Sequence, residues 1–276
     1  MKIIDGQMHV WWPNSPARPW PLGAVSLQGP SYTIEQAIAQ LDKVGVQAAA
    51  LVPPSWIAYD NSYALEASRL HPTRFAVMGQ IDHDAPDARQ QLAAWRKQPG
   101  MLGIRLVFAN DKAMKLLKDQ SYDWFWNSCE ESGVPIMCFA HGNLTLLGSV
   151  VKRHPGLRVM VDHAGRNPRG AKDDEAWTDI AELLALAKIT NIAVKVSSLP
   201  CFSTQPYPFP NLHRHIRAIY DAFGPTRMIW GSDITRLTSS YDENLRLFTE
   251  ALEFLSPADK AWILGGTVSQ WCDWQV

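Results

Sequence analysis

The sequence predicts a single (β/α)8 TIM barrel over residues 1–276, and three observations carry that prediction. Eight short, apolar, β-rich runs alternate with longer amphipathic segments along the chain. The total of 276 residues suits one α/β barrel, which typically needs about 250. Neither G-x-G-x-x-G nor G-x-x-x-x-G-K-[ST] occurs. The phosphate turn of a doubly wound nucleotide-binding sheet is therefore missing, and no nucleotide cofactor is expected.

The first strand candidate is Lys2 to Asp5. A long loop rich in Trp follows, and Thr33-Ile34-Glu35-Gln36 then spells a capping box whose helix is stopped by Gly45. Further strands are expected at Ala48 to Val52, Phe75 to Gly79, Leu102 to Val107 and Ile136 to Phe139, then at Arg158 to Val161, Ile192 to Val196 and Met228 to Trp230. His-Pro separates helix from strand twice, in Leu70-His71-Pro72 and Arg153-His154-Pro155. Proline cannot continue a helix, so His71 and His154 read as parts of stop signals rather than as catalytic groups. Ser240-Tyr241-Asp242-Glu243 opens the segment through Leu255, and Ser256-Pro257 opens the last helix with Pro at its first position.

Composition narrows the partners. The 26 Lys+Arg balance 27 Asp+Glu to a net charge of −1, with no basic run, so the electrostatic footprint of a nucleic-acid binder is absent. The apolar runs fall far short of the roughly 20 residues a membrane helix needs. The N-terminus turns polar at once, and Cys129, Cys138, Cys201 and Cys272 are widely spaced without a C-x-x-C pair. A soluble cytoplasmic protein with reduced thiols is expected. Barrels of this kind frequently dimerise, so a homodimer is an open expectation.

In this fold the active site lies at the C-terminal ends of the strands. Asp5, Gln7 and His9 recur at period two, which turns all three to the barrel mouth if Ile4 and Met8 pack outward. Arg105 ends strand 4 amid apolar neighbours, either as an ion-pair partner or as a fork for a substrate carboxylate or carbonyl. His141 follows strand 5 and His163 follows strand 6, with Arg166 and Arg169 in the next loop. Alternation turns Lys195 and Ser197 inward on strand 7, where a buried lysine needs a partner. Asp233, at the strand-8 mouth in Gly231-Ser232-Asp233, is placed to act as a general base for water.

Together these residues resemble the amidohydrolase superfamily, in its amidohydrolase-related branch of lactonases and decarboxylases. The matching pieces are Ile4-Asp5-Gly6-Gln7-Met8-His9 against the D-x-H-x-H motif, Asp162-His163-Ala164-Gly165-Arg166, Val194-Lys195-Val196-Ser197, Gly231-Ser232-Asp233 and the closing Leu264-Gly265-Gly266-Thr267 through Trp271. Gln7 replaces the first histidine of the motif, and glutamine is a poor zinc ligand. The resemblance then implies either one zinc on His9, His163 and Asp233 or, preferred here, the metal-free mode of relatives resembling pyrone-dicarboxylate lactonase.

The expected reaction is opening of a lactone or similar cyclic ester that carries a carboxylate. Asp233 takes the proton of water, while His9, His163 and Arg105 polarise the carbonyl. Gln7 and His141 complete the binding set, and Arg166 holds the acid group with Arg236 or Arg169 in reserve. The alternatives are metal-dependent nonoxidative decarboxylation of an aromatic or enol acid, and a barrel that binds its ligand without turning it over. Twelve Trp against 9 Phe and 7 Tyr suggest an aromatic wall over a flat or cyclic ligand, with Trp12 and Trp56 as its contact residues.

Overall fold

In the computed structural model, which describes residues 1–26 and 29–276, the eight expected strands form one parallel sheet in sequence order. They are β1 (Ile4–Met8), β2 (Ala48–Leu51), β3 (Phe75–Gly79), β4 (Met101–Val107), β5 (Ile136–Phe139), β6 (Val159–Val161), β7 (Ile192–Ser197) and β8 (Met228–Gly231). Each parallel step needs a crossover, and helices such as Ile34–Val44, Asp123–Glu131 and Pro210–Phe223 supply it outside the ring. The start and stop signals act as spelled. Thr33 and Ser240 each close a capping box, and Gly45 ends the first helix in the left-handed conformation that glycine adopts without strain. Among the described residues, no helix is long and apolar enough to cross a membrane.

Two apolar layers hold the barrel. One lies between strands and helices and takes Met8, Phe75, Ile104, Phe125, Trp126, Val161 and Trp230. The other fills the lower interior with Ile4, Ala48, Ala50, Met78, Met137, Met160 and Ile229, and Trp271 and Trp274 pack beneath it. Residues of one strand alternate between the layers, so a side chain's parity fixes whether it meets the helices or the interior.

Parity fails in β1, and the failure corrects an expectation. The β1–β2 register shifts between Asp5 and Met8, so Ile4 enters the interior layer while Gln7 and His9 still face inward. Asp5 does not join them. Its carboxylate accepts from the backbone N–H groups of Gln7 (2.9 Å) and Ser232 (2.8 Å) and from the Tyr241 hydroxyl (2.8 Å). It thereby ties β1 to the segment after β8, a seam reinforced by Asp233 N donating to the Gln7 carbonyl at 2.8 Å. Gly6 is required at that seam, because a Cβ there would stand 2.5 Å from Ile229 Cγ2 and 2.7 Å from the Trp230 carbonyl oxygen.

Candidate active site

The strand ends surround a cavity of about 710 Å3. Its polar lining comes from β1 and the residue just past it (Gln7, His9), β4 (Arg105), the turn after β6 (His163, Asn167, Arg169) and the turn after β8 (Asp233, Thr235, Arg236). Phe139 and Trp56 add aromatic surface. Among the described lining residues, three guanidinium groups face a single carboxylate, that of Asp233.

Asp233 is the hub. Its Oδ1 lies 2.8 Å from His9 Nε2, and its Oδ2 lies 3.4 Å from His163 Nε2. The other nitrogen of each imidazole is also engaged: His9 Nδ1 with the Val52 carbonyl (2.6 Å), His163 Nδ1 with Ser197 Oγ (2.9 Å). A carbonyl only accepts, so His9 Nδ1 carries hydrogen and His9 Nε2 is the nitrogen turned to the cavity. Backbone strain marks the same places. His163, Ala164 and Asp233 adopt φ of 53°, 51° and 43°, a left-handed conformation that non-glycine residues hold only where the surroundings enforce it.

Burial by itself would push the Asp233 carboxyl up, but His163, His9 and Arg236 outweigh it and hold the group well below the usual carboxylate range. For His163 burial prevails over Asp233 and Asp162, and the imidazole is pushed below its usual value. The site thus pairs a resident anion with an imidazole that favours its neutral form.

Beneath these groups is a second charged layer that sequence reasoning only half anticipated. Asp162, absent from the expected set, accepts from Arg105 Nε through Oδ2 (2.9 Å) and pairs with Lys195 Nζ through Oδ1 (2.9 Å). Burial raises the Asp162 carboxyl, yet Lys195 and Arg105 win and hold it at about 2. The clue in the sequence was Lys195 itself, a cation in an apolar run that demanded an acid on an adjacent strand.

Of the expected binding residues, Gln7, Arg105 and Trp56 line the cavity together with the reserves Arg169 and Arg236. Three do not. Arg166 is buried to one side, where it bonds the carbonyls of Ala164 and Ala176 and pairs with Asp179. His141 is exposed and, with Arg166, borders a separate depression of about 150 Å3. Asn167 and Arg169 of the same turn do reach the cavity, so Arg166 is set apart by its own partners, and His141 Nδ1 lies 3.3 Å from the Gly165 carbonyl. Trp12 is also displaced from its expected role. It sits in the outer core against Tyr63, its indole N–H donates to the Arg18 carbonyl (2.8 Å), and the Arg18 guanidinium stacks over it. The aromatic wall is instead Trp56, backed by Trp20 at 4.7 Å and Trp11 at 6.4 Å between ring centroids.

A family model described as amidohydrolase matches residues 4–267. The chain belongs to the amidohydrolase family. The L-fucono-1,5-lactonase of Burkholderia ambifaria is 28% identical over 282 residues, covering 95% of this chain and 92% of that one. A probable 2-pyrone-4,6-dicarboxylic acid hydrolase from Acinetobacter baumannii, solved with citric acid bound, superposes with a TM-score of 0.80 at 20% identity, covering 99% of this chain and 100% of that one. An amidohydrolase from Burkholderia multivorans with bound zinc gives a TM-score of 0.80 at 23% identity and covers 99% of each chain.

That zinc-bound relative overturns the preference for a metal-free site. Losing one histidine at Gln7 argues against two metals, but it leaves the donors for one. Among the described residues no three His, Cys, Asp or Glu side chains already stand at ligand spacing around one point, and His9 and Asp233 are hydrogen-bonded to each other. The donor chemistry nevertheless fits a single ion. Two ligands of a tetrahedral zinc stand about 3.3 Å apart, close to the His163–Asp233 separation of 3.4 Å. Both imidazoles also have the Nδ1 partner that ligating histidines usually keep.

Proposed function

We propose that this protein hydrolyses a six-membered lactone bearing a carboxylate. The observation that carries the reading is an ionised Asp233, backed by His9 and His163, in a cavity otherwise lined by three arginines. Lactonase relatives and a pyrone-dicarboxylic acid hydrolase neighbour support the same bond class.

Asp233, ionised throughout the neutral range and the one carboxylate among the described lining residues, takes the proton of the attacking water. The resulting hydroxide adds to the ring carbonyl, the oxygen of which gains negative charge. His9, His163 and Arg105 face that charge from fixed positions, the preorganisation that makes such donors effective. Collapse of the adduct breaks the ring C–O bond, and the proton held by Asp233 returns to the departing alkoxide or enolate oxygen. Arg169 and Arg236, which the strand-6 and strand-8 turns bring to the rim, take the substrate carboxylate. Trp56 supplies a flat apolar wall for the ring. A divalent ion held by His9, His163 and Asp233 would add polarisation of the carbonyl and acidification of the water.

The test is acid release, followed with a pH indicator, from L-fucono-1,5-lactone, 2-pyrone-4,6-dicarboxylate and uncarboxylated pyrones, with metal content measured on the same preparation. Carboxylate-bearing rings are expected to be opened fastest, and Asp233→Asn to lose turnover while still binding. No acid release from any of these rings refutes the proposal.

A further inference from the structure

Gln7 stands where the family motif has a histidine, and its surroundings give it a different task. Beneath it, the wholly buried Lys195 donates to Gln7 Oε1 and pairs with Asp162 Oδ1 at 2.9 Å, with Met137 Sδ at 3.2 Å. An ammonium group only donates, so chemistry alone fixes which end of the amide it holds. The oxygen is taken from below. Gln7 Nε2 has no hydrogen-bond partner among the described residues, and Gln7 lines the cavity. The amide therefore offers its N–H groups to whatever the cavity holds.

What they meet follows from strand geometry. Gln7 near the end of β1 and His9 just past it are two residues apart and both line the cavity. His9 in turn lies 2.8 Å from the Asp233 carboxylate, so Gln7 borders the part of the cavity where the lactone reading puts the reacting carbonyl. We propose that Gln7 Nε2 donates to the carbonyl oxygen of the substrate as it becomes negative, and that Lys195 is a positioning residue that acts by locking the Gln7 amide. The choice of a carbonyl as acceptor rests on the lactone reading, whereas the locked donor does not.

Removing an in-place donor should cost about tenfold or more in kcat. In Gln7→Met, a change of similar volume, kcat for the fastest lactone should fall by that factor with KM nearly unchanged. In Gln7→Glu, where one carboxylate oxygen can keep Lys195 and the other replaces the N–H, the loss should be at least as large. Lys195→Met should also lower kcat, but in the Gln7→Met background the same change should cost little more, because its target is already gone. Should Lys195→Met fail to fold, the two Gln7 variants and their kcat-against-KM split still decide.

Citrate affinity, measured by calorimetry, is the readout that does not depend on turnover, since carboxylate oxygens in the cavity would accept from the same donor. It should weaken about tenfold in Gln7→Met. Weakened citrate binding without lactone turnover leaves the donor in place and removes the lactone reading. Wild-type kcat in Gln7→Met with lactones turned over, additive losses in the double variant, or unchanged citrate affinity without turnover each overturn the inference.

Discussion

Replacing Asp162 by Asn tests the charged floor of the site, and its effect can be worked from the structure. The carboxylate is fully buried and shared by Arg105 Nε and Lys195 Nζ, each at 2.9 Å. Its pKa falls from 3.8 to about 2. At about 1.4 kcal/mol for each tenfold change in proton affinity, that is about 2 kcal/mol of stability. Breaking a buried pair outright costs about 3–5 kcal/mol, but two features reduce the penalty here. Asn keeps an acceptor for Arg105, and Lys195, whose pKa burial already depresses, can shed its proton. The variant should therefore be less stable by about 2–3 kcal/mol near neutrality, lowering Tm by about 3–5 °C.

The pH dependence carries the sign. A carboxyl with a depressed folded-state pKa contributes its full stability above the unfolded value, here 3.8, and loses it as pH falls through about 2. The gap between wild type and variant, measured by denaturant unfolding, should thus be constant above about pH 5 and about half as large near pH 3. Equal stability at neutrality, or a gap that does not narrow in acid, would refute the assignment of Asp162 as an ionised partner of both cations.

The remaining predictions divide support from contact. Trp56→Ala should raise KM about tenfold, the worth of one aromatic face, with little change in Tm. Trp12→Ala should do the opposite, losing about 3–5 kcal/mol of stability with KM unmoved, and both are read by kinetics beside a thermal melt. Arg236→Met should raise KM for a carboxylate-bearing lactone by about tenfold or more and leave an uncarboxylated one unaffected; equal effects on both would remove Arg236 as the anion partner. Gly6→Ala should destabilise by at least about 1–3 kcal/mol, seen as a lower Tm or as insoluble protein, because the backbone carbonyl 2.7 Å from the new methyl has no room to retreat.

The strands and their order were legible because alternation, turn residues and caps are local. His9, His163 and Asp233 were legible as a set because each ends a strand, and the barrel brings strand ends to one rim. What escaped was non-local or sub-residue in scale. The register shift at Asp5 turns on one step of the β1–β2 ladder, which leaves no mark in composition. Arg166 pairs with Asp179 and His141 is exposed although both follow strands, as expected of rim residues. Trp12 and Trp56 have similar neighbourhoods in the sequence, and only the docking of Arg18 between Trp12 and Tyr63 separates an anchor from a wall.

His9 and Asp233, bonded at 2.8 Å, are 224 residues apart and belong to the two ends of the sheet order. Neighbouring strands can pair as soon as both are made, but this contact exists only once the ring shuts. Any species with its last strand undocked keeps most of the fold and has no carboxylate positioned against its histidine. Recovery of turnover during refolding should accordingly lag recovery of secondary structure, so activity serves as a clock for closure of the ring.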